Sequence, residues 1–286
     1  MSALEPRLRG MFRPGVFAQP LCTQTFPRYK MSVPKPPALE TRSLGIRFGG
    51  HAAVDRVSCA FHPGTLTAIV GPNGAGKTTY FNLISGQLRA SAGRVLLFGR
   101  DVTNDSAPIR TRKGMGRAFQ LTSLFPFLSV LENVRLAVQA RAGAGLNLVS
   151  MWSRHADLIE KAELFLARVG LSARSADLAS ALPHGDQRKL EVAILLALEP
   201  DIFMFDEPTA GMSAAEVPVI LELIQSIKAE KDKTILLVEH KMDVVRSLSD
   251  RIIVLHQGVL VADGPPAEVI ASPIVQEAYL GIPVNA

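Results

Sequence analysis

Gly71-Pro72-Asn73-Gly74-Ala75-Gly76-Lys77-Thr78-Thr79 is the motif from which the fold of this chain can be predicted. It matches the pattern Gly-x-x-x-x-Gly-Lys-Thr, whose glycines let successive backbone N–H groups turn toward one bound phosphate. The residues before it, 66 to 70, form an apolar run typical of a buried strand, and apolar residues after it recur at helical spacing. Strand, loop and helix in this order predict a nucleotide-phosphate site at the positive end of the helix. A glycine-rich turn with a chance lysine is the alternative, which this context disfavours.

The loop supplies the predicted phosphate ligands. Lys77 is expected to reach the β- and γ-phosphates, and the Thr78 hydroxyl is expected to ligate Mg²⁺. The other loop residues that we expect to contact the nucleotide are Gly71, Asn73, Gly74, Ala75, Gly76 and Thr79.

A second apolar strand ends in two adjacent acids. Residues 202 to 205 are apolar and are followed by Asp206 and Glu207. Parallel sheets gather their ligands at the carboxyl ends of the strands, so Asp206 is predicted on the metal side of the site. Glu207 is the candidate general base that polarises the attacking water. A strand that ends in Asp-Glu-Pro is commonplace by itself, and the phosphate loop upstream is what favours the functional interpretation.

Three further motifs complete a family resemblance. Gln120 closes the segment 117 to 120, Leu182 to Asp186 opens a helical pattern, and His240 follows an apolar strand at 234 to 238. With the phosphate loop and the acidic strand end, the chain resembles the ATP-binding subunit of an ABC transporter from about residue 41 to 281. The resemblance implies ATP and Mg²⁺ as ligands. It also implies that Gln120 ligates Mg²⁺ or positions water, and that His240 hydrogen-bonds a γ-phosphate oxygen.

The segment Leu182 to Asp186 stands where this family has its Leu-Ser-Gly-Gly-Gln signature. Pro183 replaces the serine, which removes a hydroxyl donor to the γ-phosphate. Gly185 keeps the close backbone approach, and His184 is expected to supply a compensating donor. Because the helix N-terminus favours an anion held by a partner, the resemblance implies two copies meeting head to tail. Ser213 also departs from the family, many members of which carry aspartate there.

Phe48, in the segment 47 to 50, is the aromatic candidate for stacking on adenine. A buried strand phenylalanine is the alternative interpretation of the same residue.

The same segment, the His-Gly-x-Gln signature and a final Glu277 to Gly281 are similar to the ATPases of importers for branched-chain amino acids and related small amides. The implied partners are a second ATPase subunit, identical or related, and two transmembrane permease subunits, with a periplasmic binding protein acting indirectly. The implied location is peripheral, at the cytoplasmic face of the inner membrane. An ATPase of a lipid or polysaccharide exporter is the alternative. A soluble ABC ATPase on nucleic acid or ribosomes is disfavoured, because such proteins usually carry two ATPase halves or a long coiled-coil insertion.

Composition agrees with this interpretation. The chain has 286 residues, of which 48% are apolar, and no apolar run long enough for a membrane span. Six basic residues against Glu5 in residues 1 to 38 account for the whole net charge of +5, so no nucleic-acid partner is expected for the neutral remainder. The two cysteines, Cys22 and Cys59, do not form a disulfide framework.

The predicted fold is α/β: a P-loop NTPase core of mixed, mainly parallel sheet with flanking helices, an antiparallel β subdomain and an inserted helical subdomain. Residues 1 to 38 are predicted to be a disordered, basic, proline-rich leader, with Met31 as the expected true start. Residues 39 to 281 form the ATPase domain and 282 to 286 a tail. The expected elements are antiparallel strands at 43 to 48 and 54 to 61 beside the phosphate-loop strand, a strand at 94 to 98, a helical subdomain at about 130 to 180 with a loop at 141 to 153, and strands at 234 to 238, 251 to 255 and 259 to 262 that alternate with helices.

Overall fold

A computed structural model of the chain describes residues 36–118, 124–143, 156–214, 216–273 and 275–276. Residues 1 to 35 of the predicted leader, the predicted subdomain loop beyond residue 143 and the segment Glu277 to Gly281 lie outside these residues. Residues 36 to 38 of the predicted leader are described, and the Ala38 amide donates to the Phe61 carbonyl at 2.9 Å. The described elements, in chain order, are β1 (Leu39–Phe48), β2 (His51–Phe61), β3 (Leu66–Val70), α1 (Lys77–Ser85), β4 (Ala92–Leu97), β5 (Arg100–Asp101), α2 (Ala107–Arg112), β6 (Met115–Ala118), α3 (Val130–Arg141), α4 (Ala156–Arg168), α5 (His184–Ala197), β7 (Ile202–Asp206), α6 (Val217–Ala229), β8 (Thr234–Val238), α7 (Met242–Leu248), β9 (Arg251–His256), β10 (Val259–Gly264) and α8 (Pro266–Ala271).

A six-stranded sheet with the order β10-β9-β3-β8-β7-β6 carries the phosphate loop. Its pairings are parallel except the one between β9 and β10. Every residue of β3, β7 and β8 is buried, as expected for strands that are covered on both faces. The carboxyl ends of these three neighbouring strands therefore lie along one edge of the sheet. The predicted α/β fold class with a mixed, mainly parallel sheet is confirmed.

The predicted antiparallel strands form a sheet of their own, with the order β2-β1-β4-β5. Strand β1 pairs with β2 on one side and with β4 on the other, both antiparallel. Since both edges of β1 are occupied by these partners, its backbone has no edge left for the phosphate-loop strand. The expectation that β1 and β2 lie beside β3 in one sheet is therefore wrong, although their antiparallel pairing is right.

The end of the large sheet also differs from the expected alternation of strands with helices. Strands β9 and β10 are joined directly by Gln257 and Gly258, whose φ angles are 48° and 79°. Two successive positive φ angles are typical of the tight hairpin turn that matches strand twist. The last strand therefore runs antiparallel to its neighbour, where a helical crossover would have made it parallel.

Helices α3, α4 and α5 pack together around one apolar core. The Ser129 side chain accepts a hydrogen bond of 3.1 Å from the Glu132 amide and caps the start of α3. Val134 of α3, Leu166 of α4 and Leu190 of α5 are at most 1% exposed and belong to one cluster. This cluster continues into Phe203 and Phe205 of β7, so the helices are anchored on the strand that ends in the two acids. Among the helices that the structure describes, none has the length and apolar character needed to span a membrane.

Candidate active site

The phosphate loop connects the buried strand β3 to α1, and two of its glycines are required by neighbouring backbone. A Cβ atom on Gly71 would lie 2.1 Å from the Leu255 carbonyl oxygen, and one on Gly76 would lie 2.4 Å from that of Ala53. Gly76 also has a φ of 96°, which disfavours any residue with a side chain. The first and sixth positions of the motif are therefore glycine because other strands cross the loop at contact distance.

A cavity of about 220 Å³ lies over this loop. Its lining combines the phosphate loop with the carboxyl ends of β7 and β8 and with the start of β2: His51, Ala53, Asn73, Gly74, Ala75, Gly76, Lys77, Thr78, Thr79, Glu207 and His240. The structure thus brings together most of the loop residues that the sequence predicts and two of the three predicted catalytic residues. The third, Gln120, lies outside the described residues.

Lys77 is held across the loop by the loop itself. Its Nζ donates to the carbonyl oxygens of Gly71 and Pro72, at 2.7 and 2.9 Å. Burial lowers the pKa of Lys77, and the nearby carboxylates of Glu207 and Asp206 oppose this effect. The ammonium group therefore lies at the cavity, where phosphate oxygens could replace the Gly71 and Pro72 carbonyl oxygens as its hydrogen-bond acceptors.

Glu207 and His240 contact each other directly. The distance between Glu207 Oε1 and His240 Nε2 is 2.7 Å, and both side chains are partly exposed to the cavity. Glu207 has a φ of 51°, a left-handed conformation that costs a non-glycine residue about 1–3 kcal/mol and is concentrated at functional sites. Its amide donates to the Val238 carbonyl at 2.9 Å, which fixes the end of β7 against the end of β8.

Glu239 is a site residue that the sequence reasoning missed. It is 3% exposed, and its carboxylate accepts hydrogen bonds from the His240 amide at 2.7 Å and from the Thr209 hydroxyl. The side chain therefore ties the loop that carries His240 to the loop that follows Glu207. A lone glutamate before a histidine carries no sequence signal for this task.

Asp206 has an arginine partner that was also missed. Arg117 Nη2 lies 2.6 Å from Asp206 Oδ2, and the two side chains are only 8% and 7% exposed. Burial raises the pKa of Asp206, whereas the hydrogen bond and charge of Arg117 lower it. In the sequence, Arg117 is only the first residue of the segment that ends at Gln120, and nothing there indicates a contact with Asp206.

The donor set suits both implied ligands. The loop amides and Lys77 face one cavity, which fits the phosphates of ATP. The Thr78 hydroxyl and the Asp206 carboxylate are hard oxygen donors, and Mg²⁺ in nucleotide sites is bound by one or two such protein groups together with the phosphates.

The signature residues lie at the start of α5, away from this cavity. Pro183 is the residue before the helix, and a Cβ on Gly185 would lie 1.8 Å from Glu216 Oε1. The same carboxylate accepts from the amide and the hydroxyl of Ser213, at 2.9 and 2.8 Å. Neither His184 nor Gly185 belongs to the described lining of the phosphate-loop cavity.

Phe48 is 52% exposed at the end of β1, so the alternative of a buried strand phenylalanine is wrong. It pairs across the β1–β2 hairpin with His51, and His51 rather than Phe48 belongs to the described cavity lining. Stacking of Phe48 on adenine stays a prediction.

A glycine-rich loop at a helix N-terminus, a buried lysine and an acid–histidine pair at one sheet edge define an enzyme that hydrolyses a nucleoside triphosphate. Residues 54–210 match the ABC transporter family, and residues 259–283 match the family described as branched-chain amino acid ATP-binding cassette transporter. The high-affinity branched-chain amino acid transport ATP-binding proteins LivG of Escherichia coli K12 and BraF of Pseudomonas aeruginosa are each 36% identical to this chain, over 86% of it and 98% of their own length. A crystal structure of an ATP-binding cassette of an ABC transporter in its ADP conformation superimposes with a TM-score of 0.73, at 30% identity over 86% of this chain and 99% of that one.

The chain therefore belongs to the branched-chain amino acid family of ABC transporter ATP-binding proteins. It is an ATPase that works as part of an ABC transporter complex and couples ATP hydrolysis to transport.

Proposed function

We propose that this chain powers the import of branched-chain amino acids or related small amides by hydrolysing ATP at the cytoplasmic face of the inner membrane. The observation that carries the proposal is the convergence of the phosphate loop, Glu207 and His240 on one cavity. The cargo is supported by the match at residues 259–283 and by the printed functions of the LivG and BraF relatives. Two permease subunits and a second ATPase subunit complete the proposed assembly, and a periplasmic binding protein delivers the cargo to the permeases.

In the proposed mechanism, the phosphates of ATP replace the carbonyls of Gly71 and Pro72 as partners of Lys77. Glu207 accepts a proton from the attacking water as the water oxygen bonds to the γ-phosphorus and the bond to the β-phosphate oxygen breaks. His240 breaks its contact with Glu207 and places its Nε2 against a γ-phosphate oxygen. Glu207 is then free to bind the attacking water. Thr78, Asp206 and Gln120 would hold Mg²⁺, which would neutralise phosphate charge.

The second subunit is proposed to supply the signature helix. An N-terminus such as that of α5 offers amides and a positive dipole end to an anion. His184 is exposed at this end, whereas Gly185 is buried against the Glu216 carboxylate of its own chain, which a phosphate from the partner would have to displace. Both lie outside the phosphate-loop cavity of their own chain. A head-to-tail pair would bring the α5 end of each copy to the γ-phosphate held by the other.

The surface that meets a permease is proposed to be the aromatic loop, which we define as residues 124–128. Phe127 is 84% exposed and Phe125 55% exposed, beside a cavity of about 340 Å³. Contiguous exposed apolar patches mark protein–protein interaction surfaces. The lining of this cavity joins the aromatic loop to the helical subdomain: Leu124, Pro126, Ala179, Ser180 and Gln187.

Transport in a strain that lacks this gene tests the proposal. Uptake of labelled leucine, isoleucine and valine should fall to background and return with the wild-type gene but not with Glu207→Gln. Unchanged uptake of all three, with loss of uptake of a different solute, would overturn the proposed cargo.

For the aromatic loop, Phe127→Ser should keep the basal ATPase rate of the isolated subunit and lose the stimulation of that rate by the permeases. Leu164→Ser, at an exposed position of α4, is the matched control and should keep that stimulation.

A further inference from the structure

Arg117 lies on β6 and connects the acidic end of β7 to α1, the helix that begins at the phosphate loop. In addition to its ion pair with Asp206 Oδ2, its guanidinium makes four contacts with α1 and the residues just after it. Nη1 donates to Asn82 Oδ1 at 2.8 Å, Ser85 Oγ at 2.7 Å and Gln87 Oε1 at 3.1 Å, and Cζ lies 4.9 Å from the centroid of the Phe81 ring.

Burying a charge of this kind costs the folded state free energy. Strand β6 pairs with the fully buried β7, and Arg117 lies opposite Met204 in that register. Desolvation of a guanidinium and a carboxylate is repaid only when geometry and hydrogen bonding are good, and an apolar pair of similar volume often stabilises as well or better. Among the described residues, Arg117 Nε is buried without a hydrogen-bond partner, so the network that they form is not fully satisfied. Packing alone therefore does not account for an arginine at this position.

The placement of charge at the strand end suggests the task. Asp206 and Glu207 are adjacent carboxylates, and each contacts a different cationic or proton-bearing side chain: Asp206 contacts Arg117, and Glu207 contacts His240. One acid is thereby tied toward α1, while the other faces the cavity. The two carboxylates can take different roles because their partners keep them apart.

We propose that Arg117 is a positioning residue that orients Asp206 for the Mg²⁺ of the nucleotide and couples this carboxylate to α1. This inference rests on the proposed assignment of Asp206 to Mg²⁺. The forked guanidinium holds Oδ2 in one place through a charge-assisted hydrogen bond, which leaves the other carboxylate oxygen as the group available to the metal side. Three oxygen atoms of α1 and its following turn fix Nη1 of Arg117. Arg117 therefore holds Asp206 against α1, the same helix that begins at the phosphate loop.

Nucleotide affinity measured with and without Mg²⁺ tests this role. A fluorescent ATP analogue is titrated into the full chain, first in Mg²⁺ and then in EDTA, and the ratio of the two affinities is the magnesium enhancement. Arg117→Met should lower this enhancement at least about tenfold, which corresponds to about 1.4 kcal/mol. Its affinity in EDTA should stay within about twofold of the parent, because Lys77 and the loop amides still bind the phosphates.

Three further variants separate positioning from folding. Asp206→Asn should lose the enhancement to the same degree, and the double variant Arg117→Met/Asp206→Asn should be no worse than either single one, since the two residues act as a unit. The double variant leaves no unpaired buried charge, so it keeps the test open if Arg117→Met alone fails to fold. Arg135→Met breaks a largely buried arginine–glutamate pair in α3 and should keep the full enhancement.

A loss smaller than tenfold in Arg117→Met, or additive losses in the double variant, would overturn the positioning role while leaving the ATPase assignment intact. A parent chain that shows no magnesium enhancement would instead refute the assignment of Asp206 on which the inference rests.

Discussion

Glu207 and His240 meet at 2.7 Å over the phosphate loop, and the proposed mechanism depends on this pair of residues. The acid is held in a left-handed backbone conformation by its bond to Val238, and the histidine is held by Glu239. Both side chains therefore reach the cavity from loops whose backbone is fixed. A base that is positioned before substrate arrives loses less free energy to ordering in the reaction.

Replacing Glu207 by glutamine should abolish turnover and keep ATP binding. Glutamine retains size and hydrogen bonding but cannot accept the proton of the attacking water, so hydrolysis should fall by about 10²-fold or more. Phosphate release and nucleotide affinity of the purified variant measure the two effects. Hydrolysis near the parental rate would remove Glu207 from the role of general base.

Glu239→Ala should slow hydrolysis about tenfold with little change in ATP affinity, because the His240 loop loses its anchor to Thr209 while the phosphate loop is untouched. Glu239→Gln should restore much of the rate, since its amide oxygen still accepts the His240 N–H. Glu222→Ala, on an exposed position of α6, is the matched control. The kcat and KM for ATP decide the matter, and a rise in KM without a fall in kcat would contradict the positioning of His240.

At the scale of elements, α1 is fastened at both ends. Lys77 at its start bonds the loop carbonyls, and Arg110 of α2 closes its other end. Arg110 is 2% exposed and donates to the carbonyl oxygens of Leu83 and Ile84, at 2.7 and 2.5 Å, and to two others beyond the helix. These are among the last carbonyls of a helix, which have no partner within it, and a cation there also opposes the negative end of the dipole.

Arg110→Met should therefore destabilise the domain by about 2–4 kcal/mol, because several buried carbonyls lose their donor. Urea unfolding of the variant and its parent measures the difference. Arg112→Met, on an exposed position of the same short helix, should change the stability by no more than about 0.5 kcal/mol. Equal stability of the two variants would show that the buried guanidinium does not cap α1.

The sequence predicts those elements whose pattern is local. Strands β3 and β8 begin and end where the apolar runs do, and β7 is extended only by Asp206, because a strand covered on both faces must be continuously apolar. The parallel strand ends then bring Lys77, Glu207 and His240 together, as the motif order suggests. Their chemical roles stay predictions.

The missed features depend on contacts across long stretches of chain. Arg117 and Asp206 are 89 residues apart, and a strand arginine has the sequence pattern of a solvated residue. The β9–β10 hairpin was missed for a different reason. Gln257 adopts a positive φ that its residue type does not announce, so only the glycine beside it signalled a turn.

At the scale of the whole molecule, the phosphate-loop cavity and the α5 N-terminus are separate surfaces of one chain. A single copy therefore offers ATP its phosphate loop, and the proposed ligands His184 and Gly185 come from the second copy. The apolar cluster that joins α3, α4 and α5 to β7 links the signature helix mechanically to the strand that carries the acids. If two copies close on ATP, contacts at the α5 N-terminus and at the end of β7 would both act on this apolar cluster.

The Glu207→Gln chain should be a monomer without nucleotide and a dimer with ATP, because only bound, unhydrolysed ATP can join the two surfaces. Sedimentation velocity with and without ATP measures this change. Lys77→Ala/Glu207→Gln should stay monomeric, since the loop loses its charge-assisted contact to the β- and γ-phosphates. A Glu207→Gln monomer at saturating ATP and high protein concentration would contradict the shared site.

The turn at Gln257 and Gly258 looks like an ordinary surface hairpin, yet three parts of the molecule meet there. The Gly258 amide donates to the Ala75 carbonyl at 3.0 Å, and the Gly258 carbonyl accepts from the Asp55 amide at 2.8 Å. One residue, Gly258, thus joins β2 to the phosphate loop through its own N–H and C=O groups. Protein engineers who search for a permissive place to insert a tag or a fluorophore commonly choose hairpin tips. In this chain, an insertion at that tip would displace Ala75, which lines the phosphate-loop cavity.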